Sequence, residues 1–290
     1  MPEYTDEQGV VIVYDVHPAT GPVRGVVQLA HGVGEHAGRY GALVGALTAG
    51  GFHVYADDHR GHGRTGMKQW NGDATKLGRL GPGGLNAAVA AVGRLSEIAH
   101  GDHPDLPLIL LGHSWGSMIA QKLLAAHPER YAAVVLSGSA LLTPTELNAA
   151  PLNKKWAGPD ATGLEWLSRD PAVQQAFRDD PLTTETPLLK LFGVIEAFKL
   201  YGRPPRDLGT DVPLLLMVGS EDPVGGPRSV HRLADEYRTR SGLTDVTVLV
   251  YPDDRHEIFN ELDQERVRAD LLAWLTAHVR APERSAEPDA

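Results

Sequence analysis

The chain predicts an α/β fold in which a mostly parallel central sheet is flanked by helices and interrupted by one helical insertion. Three observations carry that expectation. Short aliphatic runs alternate with stretches of helical periodicity along 290 residues, as in a parallel sheet with crossover helices. One run passes directly into Gly112-His113-Ser114-Trp115-Gly116, a strand-to-helix turn built around a serine. And 75 residues, Gly138 to Val212, separate two late strand candidates, far more than a single crossover needs.

Seven runs read as strands: Val10–Tyr14, Gly25–Ala30, His53–Ala56, Leu106–Leu111, Ala133–Leu136, Pro213–Val218 and Val246–Tyr251. The first two are joined by His17-Pro18-Ala19-Thr20-Gly21-Pro22, which reads as a hairpin turn and predicts an antiparallel start to the sheet. Helical periodicity covers Gly84–Ala99, Gly116–Ala126, Arg228–Thr239 and Leu262–Val279. The long gap is an insertion, giving a core of residues 1–138 and 206–280 and a helical cap of residues 139–205. Within the cap, helical patterns fall near Gly163–Phe177 and Pro187–Leu200. In the second, Leu188, Leu191, Phe192, Ile195 and Phe198 form an apolar stripe. Such a stripe packs on the main domain, and part of it is a candidate lining for an alkyl or acyl chain. Residues 281–290 are polar with two prolines and read as a flexible tail.

Composition narrows the function classes. A net charge of −10 without a lysine or arginine run argues against nucleic-acid binding. The absence of cysteine excludes disulfides, thiol catalysis and thiolate metal sites. The first residues lack the basic and apolar regions of a secretory signal, and no stretch reaches the length of a membrane span. A cytoplasmic protein without stable membrane insertion is the expectation.

The serine in the glycine-flanked turn is a candidate nucleophile. A hydroxyl is a weak nucleophile, and the sharp turn lifts it to where a base and a carbonyl both reach it. Gly112 and Gly116 stand where a side chain would collide with the tight backbone. The remaining partners of such a serine follow in the order acid, then histidine. Gly219-Ser220-Glu221-Asp222-Pro223 follows one late strand and Pro252-Asp253-Asp254-Arg255-His256 the next. Both lie past the carboxyl ends of strands, where open α/β sheets place their sites. His256 is the candidate base, because the other histidines considered lie in helical patterns, at a helix end or beside the serine. Asp222 is the candidate acid, with Glu221 as its neighbour and alternative; Asp253 and Asp254 read as turn or solvated residues. Oxyanion donors are expected from the backbone amides of Trp115 and Val33, the latter in the loop His31-Gly32-Val33-Gly34.

Two other motifs carry no site. Gly61-His62-Gly63-Arg64-Thr65-Gly66 matches G-x-G-x-x-G, but Met67–Gly84 has polar breaks where a phosphate-binding helix should follow. His256-Glu257 opens like a zinc-protease string, but Asn260 stands where its second histidine belongs, so no metal is expected. No cofactor is implied.

The combination resembles the α/β-hydrolase superfamily and, within it, the monoacylglycerol lipase and lysophospholipase-like serine hydrolases. The resemblance spans nearly the whole chain. It rests on His31-Gly32-Val33-Gly34-Glu35-His36 followed by Arg39-Tyr40, on Asp58-His59-Arg60-Gly61-His62-Gly63, and on the segments around Ser114, Asp222 and His256-Glu257. Trp115 and Thr65 depart from the family pattern, which has a small residue or methionine and a serine there. The resemblance implies an α/β-hydrolase fold and carboxylic ester hydrolysis through an acyl-enzyme under a mobile cap. Its substrate would be a monoacyl lipid or small ester. Acyl transfer, or hydrolysis of an amide, lactone or thioester, would use the same three side chains. A non-catalytic ligand-binding protein on this scaffold would be expected to lack one of them.

Overall fold

A computed structural model of the protein describes residues 1–148 and 150–279; the tail expected at 281–290 lies outside the described residues. In chain order the elements are β1 (Glu3–Thr5), β2 (Val11–His17), β3 (Gly25–Ala30), α1 (Gly41–Ala49), β4 (Phe52–Asp57), α2 (Gly63–Gln69), α3 (Gly84–Asp102), β5 (Leu108–His113), α4 (Trp115–Ala126), β6 (Ala133–Ser137), α5 (Pro171–Asp179), α6 (Leu188–Phe198), β7 (Leu214–Gly219), α7 (Gly226–Thr239), β8 (Val246–Tyr251) and α8 (Gln264–His278). The strands form one sheet in the order β1-β2-β4-β3-β5-β6-β7-β8. From β4 to β8 every pairing is parallel, and β1 and β2 add an antiparallel edge. This is the α/β-hydrolase architecture.

Both faces are covered, so the central strands are largely apolar, and the buried Gln28 of β3 donates its amide to the Val92 carbonyl at 2.8 Å. On β5, Leu108 and Leu110 face one layer with α3, α4 and α7, while Ile109 and Leu111 face the other with α1 and α8. Each fully buried leucine or isoleucine of this kind contributes about 1.5–3 kcal/mol. The core holds rigid the carboxyl ends of β3, β5, β7 and β8, from which the site loops emerge. Among the described residues no helix is long and apolar enough to cross a membrane.

Several elements correct the sequence reading. β2 and β3 do not form a hairpin: β3 is fully buried between β4 and β5, with both edges used by parallel partners. The intervening loop instead crosses the α1–β4 turn, where Thr20 and Arg24 donate to the carbonyls of Thr48 and Gly51. The antiparallel start is present, but it joins β2 to β1 and β4. The expected helix at Gly163–Phe177 begins only at Pro171, where Asp170 caps the Ala172 amide and proline takes the first turn. Residues before it spend their amides on the Glu165 carboxylate. α6 is broken at Gly193, whose φ of 75° and ψ of 167° lie outside the helical region. Finally, α2 starts inside the G-x-G-x-x-G segment, where no helix was expected. Its N-terminus is already occupied, because the Asp58 carboxylate accepts from the Arg64 amide at 2.8 Å and sits where a side chain on Gly63 would project.

Candidate active site

The turn after β5 is as tight as its sequence implies. Ser114 has φ 53° and ψ −122°, a conformation that costs a non-glycine residue about 1–3 kcal/mol. The two glycines make it possible. A Cβ on Gly112 would stand 2.5 Å from the Gly116 carbonyl oxygen, and one on Gly116 only 2.1 Å from that of Ala30. The elbow therefore packs backbone to backbone against the end of β3, with α4 starting at the serine.

The loop leaving β3 lies against it. A Cβ on Gly32 would stand 3.1 Å from Ser114 Cβ. Among the described residues no acceptor takes the amide of Val33 or of Trp115. Two free N–H groups thus flank the serine, one at the start of α4, where the helix dipole favours negative charge.

The loops after β7 and β8 bring Asp222 and His256 together. His256 Nδ1 lies 3.0 Å from each carboxylate oxygen of Asp222, and Asp222 Oδ1 also accepts from the Val224 amide at 2.8 Å. A carboxylate on Nδ1 fixes the proton there and leaves Nε2 as the basic lone pair; among the described residues Nε2 is buried with no hydrogen-bond partner. Burial pushes the imidazole pKa down, but Asp222 outweighs it and the pKa is raised above 6.5. The His113 and Trp166 rings lie 4.8 and 5.1 Å from the His256 ring. Ser114 and His256 lie at the same end of the sheet, and among the described residues no hydrogen bond joins the Ser114 hydroxyl to the ring. The Ser114 amide donates to Ser137 at 2.9 Å, and a Cβ on the next residue, Gly138, would touch the His256 ring at 3.0 Å.

Of the five residues expected from sequence, Asp222 and His256 are in contact, and the loop carrying Val33 lies against the turn of Ser114 and Trp115. The Glu221 carboxylate pairs with Lys155 at the surface. Asp253 occupies a left-handed turn with φ 64°. Asp254 corrects the solvated reading, because its side chain is fully buried against Arg169; burial first, then the nearby acids, raises its pKa to about 7. The stripe on α6 divides at the Gly193 break. Leu191 and Phe192 are buried, and the Phe192 ring centroid lies 5.1 Å from that of Trp115. Leu188 is half-buried, whereas Ile195 and Phe198 are exposed at 76% and 64%, so those two do not line a cavity here.

A buried clamp escaped the sequence reading. Arg39 donates to Glu35 at 2.7 Å and doubly to Glu257 at 2.6 and 2.8 Å, while Glu35 accepts from the Gly32 amide at 2.7 Å and from the Tyr40 hydroxyl at 2.6 Å. It ties the loop carrying Val33 to the residue after His256. Burial raises the Glu35 carboxyl; for Glu257 the Arg39 guanidinium overcomes burial and holds the carboxyl low. Arg39 and Glu257 were visible only as parts of family-like strings.

The chain is similar to proteins of known family and fold. Residues 21–263 match the family model described as serine aminopeptidase, S33. The chain is 40% identical to a monoacylglycerol lipase of Mycolicibacterium smegmatis, over 93% of this chain and 95% of that one. It is 27% identical to a solved monoacylglycerol lipase of Paleococcus ferrophilus, with a TM-score of 0.70 and coverage of 92% and 99%. A carboxyl esterase from Bacillus coagulans, solved with glycerol, shares the fold at a TM-score of 0.78 and 24% identity, covering 96% and 98% of the two chains.

Proposed function

The chain belongs to the serine aminopeptidase S33 family of α/β-hydrolases and is a carboxylic ester hydrolase; on that premise we propose that Ser114, His256 and Asp222 are its catalytic triad and that a monoacylglycerol or similar small monoacyl ester is its substrate. The observation that carries the triad is the two-oxygen contact of Asp222 with His256 Nδ1 beside a serine held at positive φ. The substrate class rests on the 40% identity to the Mycolicibacterium monoacylglycerol lipase.

In this mechanism His256 Nε2 takes the Ser114 proton as Oγ attacks the ester carbonyl. Asp222 holds the required tautomer and stabilises the imidazolium that forms. Charge that develops on the carbonyl oxygen falls between the Val33 and Trp115 amides, each donor supporting the transition state by about 3 kcal/mol. The imidazolium then returns its proton to the leaving alcohol, and water deacylates Ser114 with the same base. Residues 139–205 act as a cap over this point, with Phe192 on its inner side meeting Trp115.

Ser114→Ala tests the scheme. It should lower turnover of short p-nitrophenyl esters and monoacylglycerols by at least about 10⁴-fold while thermal unfolding shows the fold intact. Turnover within tenfold of the parent in a folded variant would refute it.

A further inference from the structure

The motif Asp58–Gly63 and the histidine that opens His31-Gly32-Val33 have no part in the chemistry above, yet they converge on it. His31 is fully buried. Its Nε2 accepts from the His59 backbone N–H at 2.9 Å. A backbone amide can only donate, so Nε2 carries no proton and Nδ1 does. Nδ1–H therefore donates to the Gly32 carbonyl, 2.7 Å away. Burial, with His59 and His62 nearby, lowers the His31 pKa well below 6.5 and keeps the ring neutral.

The Gly32 carbonyl and the Val33 N–H belong to one planar peptide unit and point in opposite directions. Holding the oxygen aims the hydrogen. The other side of the ring is braced: His59 stacks on His31 with centroids 3.9 Å apart, and His59 Nδ1 is held by Asp57 Oδ2 at 2.8 Å. Asp58, the next residue of that loop, accepts from the Ala37 amide at 3.0 Å. The loop after β4 thus supports the loop after β3 at two points.

We infer that His31 is a positioning residue, which uses its Nδ1–H to aim the Val33 amide at the developing oxyanion and is itself held by the loop after β4. The inference rests on the proposed role of Val33 and Ser114. It assigns a specific atom to each task, and two substitutions separate them. His31→Asn keeps an N–H near the Nδ1 position and loses the acceptor for His59. His31→Gln keeps an acceptor near Nε2 and loses the donor to Gly32.

The experiment measures kcat, KM and the inhibition constant of an alkyl trifluoromethyl ketone, whose serine adduct carries an oxyanion. His31→Gln should lower kcat about 10- to 100-fold, with KM within about threefold, and weaken the ketone by the same factor as kcat. His31→Asn should retain both within about threefold of the parent. Equal ketone affinity in parent and folded His31→Gln would overturn the inference, as would equal losses in the two variants. Failure of the ketone to inhibit the parent at all would instead refute the serine mechanism beneath it. Should both variants unfold, the parent still decides: nitrogen NMR must find the His31 proton on Nδ1 at neutral pH, and a proton on Nε2 would overturn the inference.

Discussion

The segment between β6 and β7 has two parts that meet the core in opposite ways. Around residues 164–170 the contacts are polar and specific. The carbonyls of Trp166 and Leu167 accept from the His256 and Glu257 amides at 3.3 and 2.7 Å. Arg169 reaches Asp254, Glu261 and Asp263, and Arg255 donates to the carbonyls of Glu165 and Ser168. α6, by contrast, meets the core through Leu191, Phe192 and a hydrogen bond from the Leu85 amide to Glu196, and it exposes Leu189, Val194, Ile195 and Phe198. Directional bonds fix geometry, whereas apolar contact tolerates sliding and repacking. The first part is therefore tied to the loop carrying His256, and α6 is held mainly by apolar contact.

Three variants test that contrast. Arg169→Met should have the largest effect, because it leaves the buried Asp254 and Glu261 without their cation. Arg169 is about a quarter exposed, so a loss of about 2–4 kcal/mol is expected, somewhat below a fully buried pair, together with a fall in kcat on every ester. Urea unfolding and kcat on an acetyl ester check this; a stable variant with parental kcat would show that the junction does not hold the base. Trp115→Met should act on selectivity. The indole is fully buried against His62 and Phe192, and trimming it makes room for acyl carbons at about 0.8 kcal/mol, or roughly fourfold in kcat/KM, for each methylene accommodated. A chain-length profile from two to sixteen carbons that does not move would place the acyl chain elsewhere. Smallest is Ile195→Ser with Phe198→Ser, which should change stability by no more than about 0.5 kcal/mol and leave a soluble acetyl ester unaffected. A large loss of stability there would make α6 part of the core after all.

The same contrast explains what the sequence reveals. β3 and β8 fall on the residues expected, and the elbow is readable because its strand, glycines and helix are contiguous. Asp222 and His256 follow from their place after late strands. What fails is non-local. The choice of β4 over β3 as the neighbour of β2 depends on β5 taking the other edge of β3. Arg39 and Glu257 are 218 positions apart, so no window joins them. α1 is missed because Gly41 and Gly45 blur its period, although Leu43, Val44 and Leu47 are buried. Exposure of Ile195 and Phe198 turns on the backbone at Gly193, and periodicity assumes an unbroken helix.

The most direct test of an activated Ser114 is the pH dependence of fluorophosphonate labelling, mapped by mass spectrometry in the parent and in His256→Ala. Because Asp222 raises the His256 pKa, the base is neutral only above that value, so the rate should rise with pH through a midpoint above 6.5. The adduct should sit on Ser114 alone, and His256→Ala should slow it at least about 100-fold. A rate flat between pH 5 and 9, or one indifferent to residue 256, would contradict the account.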